Sequence, residues 1–87
     1  MIVEYKGQEF EQNPNQVSEA MQFKGEIYIK YSDHPCMDVY GFSEAQVIEQ
    51  VKKFKEIEPR TFVVEIFGPE NHFSPRSYVS TQYFFEN

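Results

Sequence analysis

Phe42-Ser43-Glu44-Ala45-Gln46-Val47-Ile48-Glu49-Gln50-Val51-Lys52-Lys53-Phe54-Lys55-Glu56-Ile57-Glu58-Pro59 is the stretch whose reading decides the fold. Val47, Val51 and Phe54, with Ile48 and Ile57 alongside, recur at helical spacing and form one apolar stripe. Ser43 suits an N-cap, and Gln46 three residues later completes a capping box. Phe42 before the cap and Val47 at the fourth helical position are spaced as a hydrophobic staple. Glu44 opens the element and Lys52, Lys53 and Lys55 crowd its end, which complements the helix dipole. Pro59 stops it. The spacing predicts a helix over Glu44–Ile57 with one sticky side, which must lie on an apolar surface.

The flanking segments read as that surface. Downstream, Thr61 to Phe67 is a central strand: Phe62, Val64 and Ile66 share a face, and Val63 and Phe67 give the other face apolar character. Gly68-Pro69 ends it, 70–76 is a loop, and Tyr78 to Phe85 is a last strand with rings on both faces. Such a strand must be covered twice or must expose an aromatic row. Upstream, Glu26 to Ser32 alternates as a half-buried strand, Asp33-His34-Pro35 turns, and Met37 to Gly41 returns beside it. Gln16 to Phe23 reads two ways, since Val17, Ala20 and Met21 have helical spacing while Val17, Met21 and Phe23 fit strand alternation, and one or two helical turns are expected there. Lys24-Gly25 reads as a tight turn, an echo of Lys6-Gly7.

The chain begins with a hairpin, Ile2 to Glu11, turning at Lys6-Gly7. Val3, Tyr5 and Phe10 then share the inner face, and Glu4, Glu9 and Glu11 the outer one with Ile2. Glu4 falls opposite Glu9, a like-charge pairing that destabilises a hairpin and singles this face out for use. The expected architecture is a single α+β domain over residues 1–87: an antiparallel sheet of five to six strands with one main amphipathic helix packed on one face. Its expected core is Val3, Tyr5, Phe10, Ile27, Ile29, Val47, Val51, Phe54, Phe62, Val64 and Ile66.

Fourteen acidic residues against eight basic ones give a net charge of −6. That argues against direct binding of nucleic acid, which needs clustered Lys and Arg, and against an anionic membrane surface. It suits a basic protein surface, including one that normally holds nucleic acid. Nine Phe and six Tyr are many rings for so small a core, so some reach the surface, where aromatics anchor partners. Cys36 is the only cysteine, so no intrachain disulfide forms and a reducing compartment is expected. Met1 to Asn15 does not read as a signal peptide and no apolar run reaches membrane-spanning length, which points to the cytoplasm.

Chemistry-bearing residues are sparse. Cys36 with His34 or His72 could form a thiolate–imidazole pair, and His34, Cys36, Asp38 and His72 could furnish four zinc ligands, but the paired spacing of structural zinc sites is absent. No cofactor motif is present. Glu65 sits within an apolar strand, and alternation turns it away from Val64 and Ile66. In the 70–76 loop, Phe73 and Arg76 are types favoured at interface centres. Glu4, Glu9, Glu11, Phe73, Arg76 and Tyr83 are therefore the candidate partner-binding residues.

In composition the chain resembles small accessory proteins of phages and other mobile elements, being short, acidic and aromatic-rich with more Lys than Arg. Inhibitors of host defence systems often look like this. The expected function is a non-enzymatic protein-binding module, an inhibitor or adaptor that offers an acidic, aromatic surface to a basic partner. The alternatives are a small enzyme or metal-binding protein centred on Cys36, and a structural subunit that self-associates through the last strand.

Overall fold

The described residues form six strands and one long helix: β1 (Ile2–Tyr5), β2 (Gln8–Glu11), β3 (Phe23–Ile29), β4 (Met37–Gly41), α1 (Glu44–Ile57), β5 (Phe62–Phe67) and β6 (Tyr78–Phe84). The structure, a computed structural model, describes residues 1–30, 32–71 and 75–86. β3 to β6 form a four-stranded antiparallel sheet in the order β4-β3-β5-β6. β1 and β2 form a separate two-stranded sheet, so the six antiparallel strands are divided between two sheets.

α1 forms where its caps and stripe put it. The Ser43 hydroxyl accepts from the Gln46 N–H at 3.2 Å. The Gln46 side chain reaches one residue further back than a capping box requires and accepts from the Phe42 N–H. Phe42 itself is 55% exposed, whereas Val47 is fully buried against the sheet. Val47, Val51 and Phe54 lie fully buried on Ile27, Val39, Phe62, Val64 and Ile66 of the sheet. Phe54 is the hub, with Phe62 at 5.2 Å, Tyr5 at 4.9 Å and Phe10 at 6.1 Å between ring centroids.

Gly25 does not sit in a turn. It lies inside β3, and only Gly7 among the glycines has a positive φ. Its small size serves close approach: a Cβ there would stand 2.7 Å from Val47 Cγ1 and 3.0 Å from Val39 Cγ2. β3 accordingly starts at Phe23, earlier than its alternation suggests. Of the helical turns expected in Gln16–Phe23, one 3-10 turn forms, at Glu19–Met21. It buries none of its residues, and a polar network replaces an apolar anchor. Buried Gln22 donates to Asn13 Oδ1 at 3.0 Å and to the Val17 carbonyl at 2.8 Å, and accepts from Asn15 at 2.9 Å.

The hairpin turn has φ of 51° at Lys6 and 79° at Gly7, both in the left-handed region that the favoured two-residue turn needs. Val3, Tyr5 and Phe10 face the core, and Glu4 stands opposite Glu9. The hairpin leans on the outer side of β4, where the Tyr40 N–H donates to the Gln12 carbonyl at 3.0 Å. A buried carboxylate clasps it to the end of α1. Glu58 is 0% exposed and accepts from the Tyr5 hydroxyl at 2.5 Å, from Lys6 Nζ at 3.3 Å and from the Arg60 guanidinium at 2.8 and 3.0 Å. The Arg60 hydrogen bonds, helped by Tyr5 and Lys6, outweigh burial and hold its carboxyl well below the usual carboxylate range.

Candidate functional site: the open face of the sheet

Because α1 and the hairpin both pack against one face, the alternate residues of β3 to β6 point to the other. Register sorts them into rows across the sheet. Tyr40, Lys24, Phe67 and Tyr78 form one row, Asp38, Glu26, Glu65 and Thr81 the next, and Tyr28, Val63 and Tyr83 the third. An acidic row therefore runs between two aromatic ones.

The acidic row is incompletely neutralised. Lys24 Nζ lies 3.1 Å from a Glu26 oxygen and 3.7 Å from Asp38 Oδ2. Burial raises the Asp38 pKa despite Lys24, with Glu26 adding to the rise, and its buried Oδ1 has no hydrogen-bond partner among the described residues. Tyr28 donates to Glu26 at 2.8 Å, and that bond, with burial, pushes the phenol up to about 12. Glu65 stands directly opposite Glu26. Among the described residues it has no cation within 4 Å and no hydrogen-bond donor. Directly opposed like charges cost stability.

The aromatic rows open towards β6, which among the described residues pairs with β5 alone and is a free edge. Tyr83 is 67% exposed, Tyr78 62% and Phe85 71%, whereas Phe84 turns inward and stacks on Phe62 at 5.1 Å. The last strand thus exposes an aromatic row. A shallow groove of about 230 Å³ crosses the sheet along the Tyr28–Val63–Tyr83 row and reaches this strand only at Tyr83, with Lys30 and Thr61 at its end. At the other end of the face, Arg76 closes the sheet onto the 3-10 turn. Its guanidinium donates to the carbonyls of Glu19, Gln22 and Gly68 and lies 6.0 Å from the Tyr40 ring.

The residues singled out in the sequence do not form one surface. Glu4 and Glu9 are exposed side by side on the hairpin. Glu11 is half-buried, and its bond to the Met1 amino group at 2.5 Å holds its carboxyl below the usual range. This cluster borders β4, whereas Tyr83 lies on β6 at the opposite edge of the sheet. Arg76 is engaged by backbone carbonyls of its own chain. Phe73 and His72 lie outside the described residues. The row Asp38–Glu26–Glu65 has no signature in the sequence: alternation turns Glu65 outward, but only the β3–β5 register aligns it with Glu26.

Around Cys36 the chemistry is muted. The residue is exposed, yet close packing around the thiol pushes its pKa up, with the Glu58 charge adding to the rise. A nucleophilic cysteine needs the opposite shift. Among the described residues no group of three or more His, Cys, Asp or Glu is placed to hold a metal, and no helix is long and apolar enough to cross a membrane. Comparison of the chain with family models, curated proteins and solved structures finds no match.

Proposed function

We propose that this chain is a non-enzymatic protein-binding module that uses the open sheet face to occupy a basic surface of another protein. One observation carries the reading: an under-neutralised carboxylate row lies between two rows of rings on a face that neither the helix nor the hairpin covers. Rings supply contact area at low entropy cost, and carboxylates select a basic partner and speed its approach. The net charge of −6 acts in the same direction. The module works as an inhibitor or adaptor in the cytoplasm, of the kind that phages and mobile elements use against host defence or nucleic-acid-binding proteins. Carboxylates then stand where phosphates would.

The test is capture of partners on the tagged chain from its native cell, followed by affinity measurement on the purified pair. Tyr83→Ala and Glu65→Lys weaken binding at least tenfold, and added salt weakens the wild-type complex. Unchanged affinity in both variants refutes the open face as the site.

The uncharged free edge of β6 favours one second reading, self-association through that strand. Sedimentation across a wide concentration range tests it, since an oligomer that buries Tyr83 must dissociate on dilution.

A further inference from the structure

We infer that the free edge of β6 takes up an extended segment of the basic partner as a fifth strand of the sheet, with a lysine or arginine opposite Thr81 reaching across it to Glu65. This rests on the reading of the chain as a binder of basic protein, and specifies how the partner is held.

The two edges of the sheet are treated differently. β4 is covered: the Tyr40 N–H bonds to the Gln12 carbonyl, and Gln12 Nε2 donates to the Asp38 carbonyl at 2.6 Å. β6 is bare. Edge strands are ordinarily blunted by charges, proline or bulges. Tyr78–Phe84 contains no charged residue and no proline. Its one irregularity, at Val79, leaves Ser80 to Phe84 in regular register. Main-chain groups along such an edge are the usual donors and acceptors for strand addition.

The side chains state what kind of strand fits. Thr81 is the short member of the acidic row and lies between Glu65 and the edge. Strands lie roughly 4.8 Å apart, so an added strand runs about 9.6 Å from β5. A long basic side chain directed over Thr81 meets the Glu65 carboxylate across that gap. Glu65 is the member of the row that Lys24 leaves without a counter-charge, and a cation there relieves its opposition to Glu26. Tyr83 lies on one side of Thr81, and Tyr78 on the other, its hydroxyl 2.8 Å from Thr81 Oγ1. Both rings can face the incoming cation. A second copy of this chain fits less well, because it brings a net charge of −6 and no cation on β6.

The experiment titrates the isotope-labelled protein with a capped peptide that alternates threonine with valine, arginine and valine. Two controls carry glutamate in place of arginine or N-methyl groups on alternate amides. Saturable binding that slows hydrogen exchange of β6 amides, is lost with either control, and weakens about tenfold in Glu65→Gln supports strand addition. Equal binding of the N-methylated peptide overturns it while leaving the open-face reading intact. Full affinity in Glu65→Gln overturns the ionic contact. If the peptide does not bind but unstructured polyarginine saturably shifts the open-face signals, strand addition falls and the functional reading survives. Absence of binding by either probe refutes both. A β6-mediated dimer at the titration concentration also overturns the proposal.

Discussion

Replacing Gly25 by alanine probes how closely α1 lies on the sheet. The new Cβ would stand 2.7 Å from Val47 Cγ1, 3.0 Å from Val39 Cγ2 and 3.2 Å from Val64 Cγ1. Carbon atoms in contact rest at roughly 3.5–4.0 Å, so all three valines are encroached upon and Val47 by most of an ångström. None can move into solvent, since each is fully buried. Valine has few χ1 options, so relief comes by lifting the helix. Overpacking of this kind costs about 1–3 kcal/mol. Removing a glycine from a strand returns roughly 0.5–1 kcal/mol. The midpoints of the two ranges leave a net loss of about 1.25 kcal/mol, or a fall of roughly 5–10 °C in Tm for a domain of this size. Urea and thermal unfolding of Gly25→Ala, Val47→Ala and the double variant measure it. Val47→Ala removes the atom that clashes most, so the double variant is about 1 kcal/mol more stable than the sum of the singles. Additivity within about 0.3 kcal/mol, or an undiminished midpoint in Gly25→Ala, refutes the close-approach account.

Other outcomes follow from the clasp and from Cys36. Tyr5→Phe removes a hydrogen bond to the buried Glu58 carboxylate and costs about 1.5–3 kcal/mol, read from the urea midpoint; a change below about 0.3 kcal/mol contradicts the clasp. Glu58 is held below its ordinary value of 4.5, so its contribution is complete above that pH and drains away as pH falls towards the folded-state pKa. Asp38, shifted upwards, works in the opposite sense and blunts the loss without reversing it. Stability measured from pH 6 downwards therefore declines, and Glu58→Gln flattens the decline; an equal slope in that variant refutes the assignment. Cys36 reacts more slowly with iodoacetamide near pH 8 than a small-molecule thiol, because close packing around the thiol of this otherwise exposed residue favours its protonated form. Cys36→Ser changes stability by less than about 0.5 kcal/mol, and a larger loss in its unfolding curve contradicts the exposed placement.

Much of the fold is legible in the sequence because its signals are local. The Ser43 cap, the Val47–Val51–Phe54 stripe and Pro59 bound the helix as found, and alternation places β5 and β6 to within a residue. Every residue of the expected core joins the apolar cluster, together with Val39, whose strand is too short to show its burial by pattern. Gly25 misleads because a glycine that admits a helix looks, in sequence, like one that admits a turn. Gln22 and Glu58 are invisible for a related reason. A buried amide or carboxylate reads as surface until its partners, Asn13 and Asn15 or Tyr5 and Arg60, are brought from elsewhere in the chain. The site divides in the same way. The exposure of Tyr83 and the outward turn of Glu65 follow from alternation, whereas Tyr78 reaches the same face only through the irregularity at Val79, and the alignment of Asp38, Glu26 and Glu65 depends on pairings between distant strands. The opposition of Glu4 and Glu9 follows from the Lys6-Gly7 turn, but the hairpin's place beside β4 separates the pair from Tyr83.

Hydrogen–deuterium exchange of the chain alone and bound to its purified partner bears most directly on the open sheet face as the working surface. Protection is predicted across Glu26–Tyr28, Val63–Glu65 and Tyr78–Phe85, with Glu4–Glu11 and the outer side of α1 unchanged. Protection confined to the hairpin or the helix, with β6 exchanging as freely as before, contradicts it.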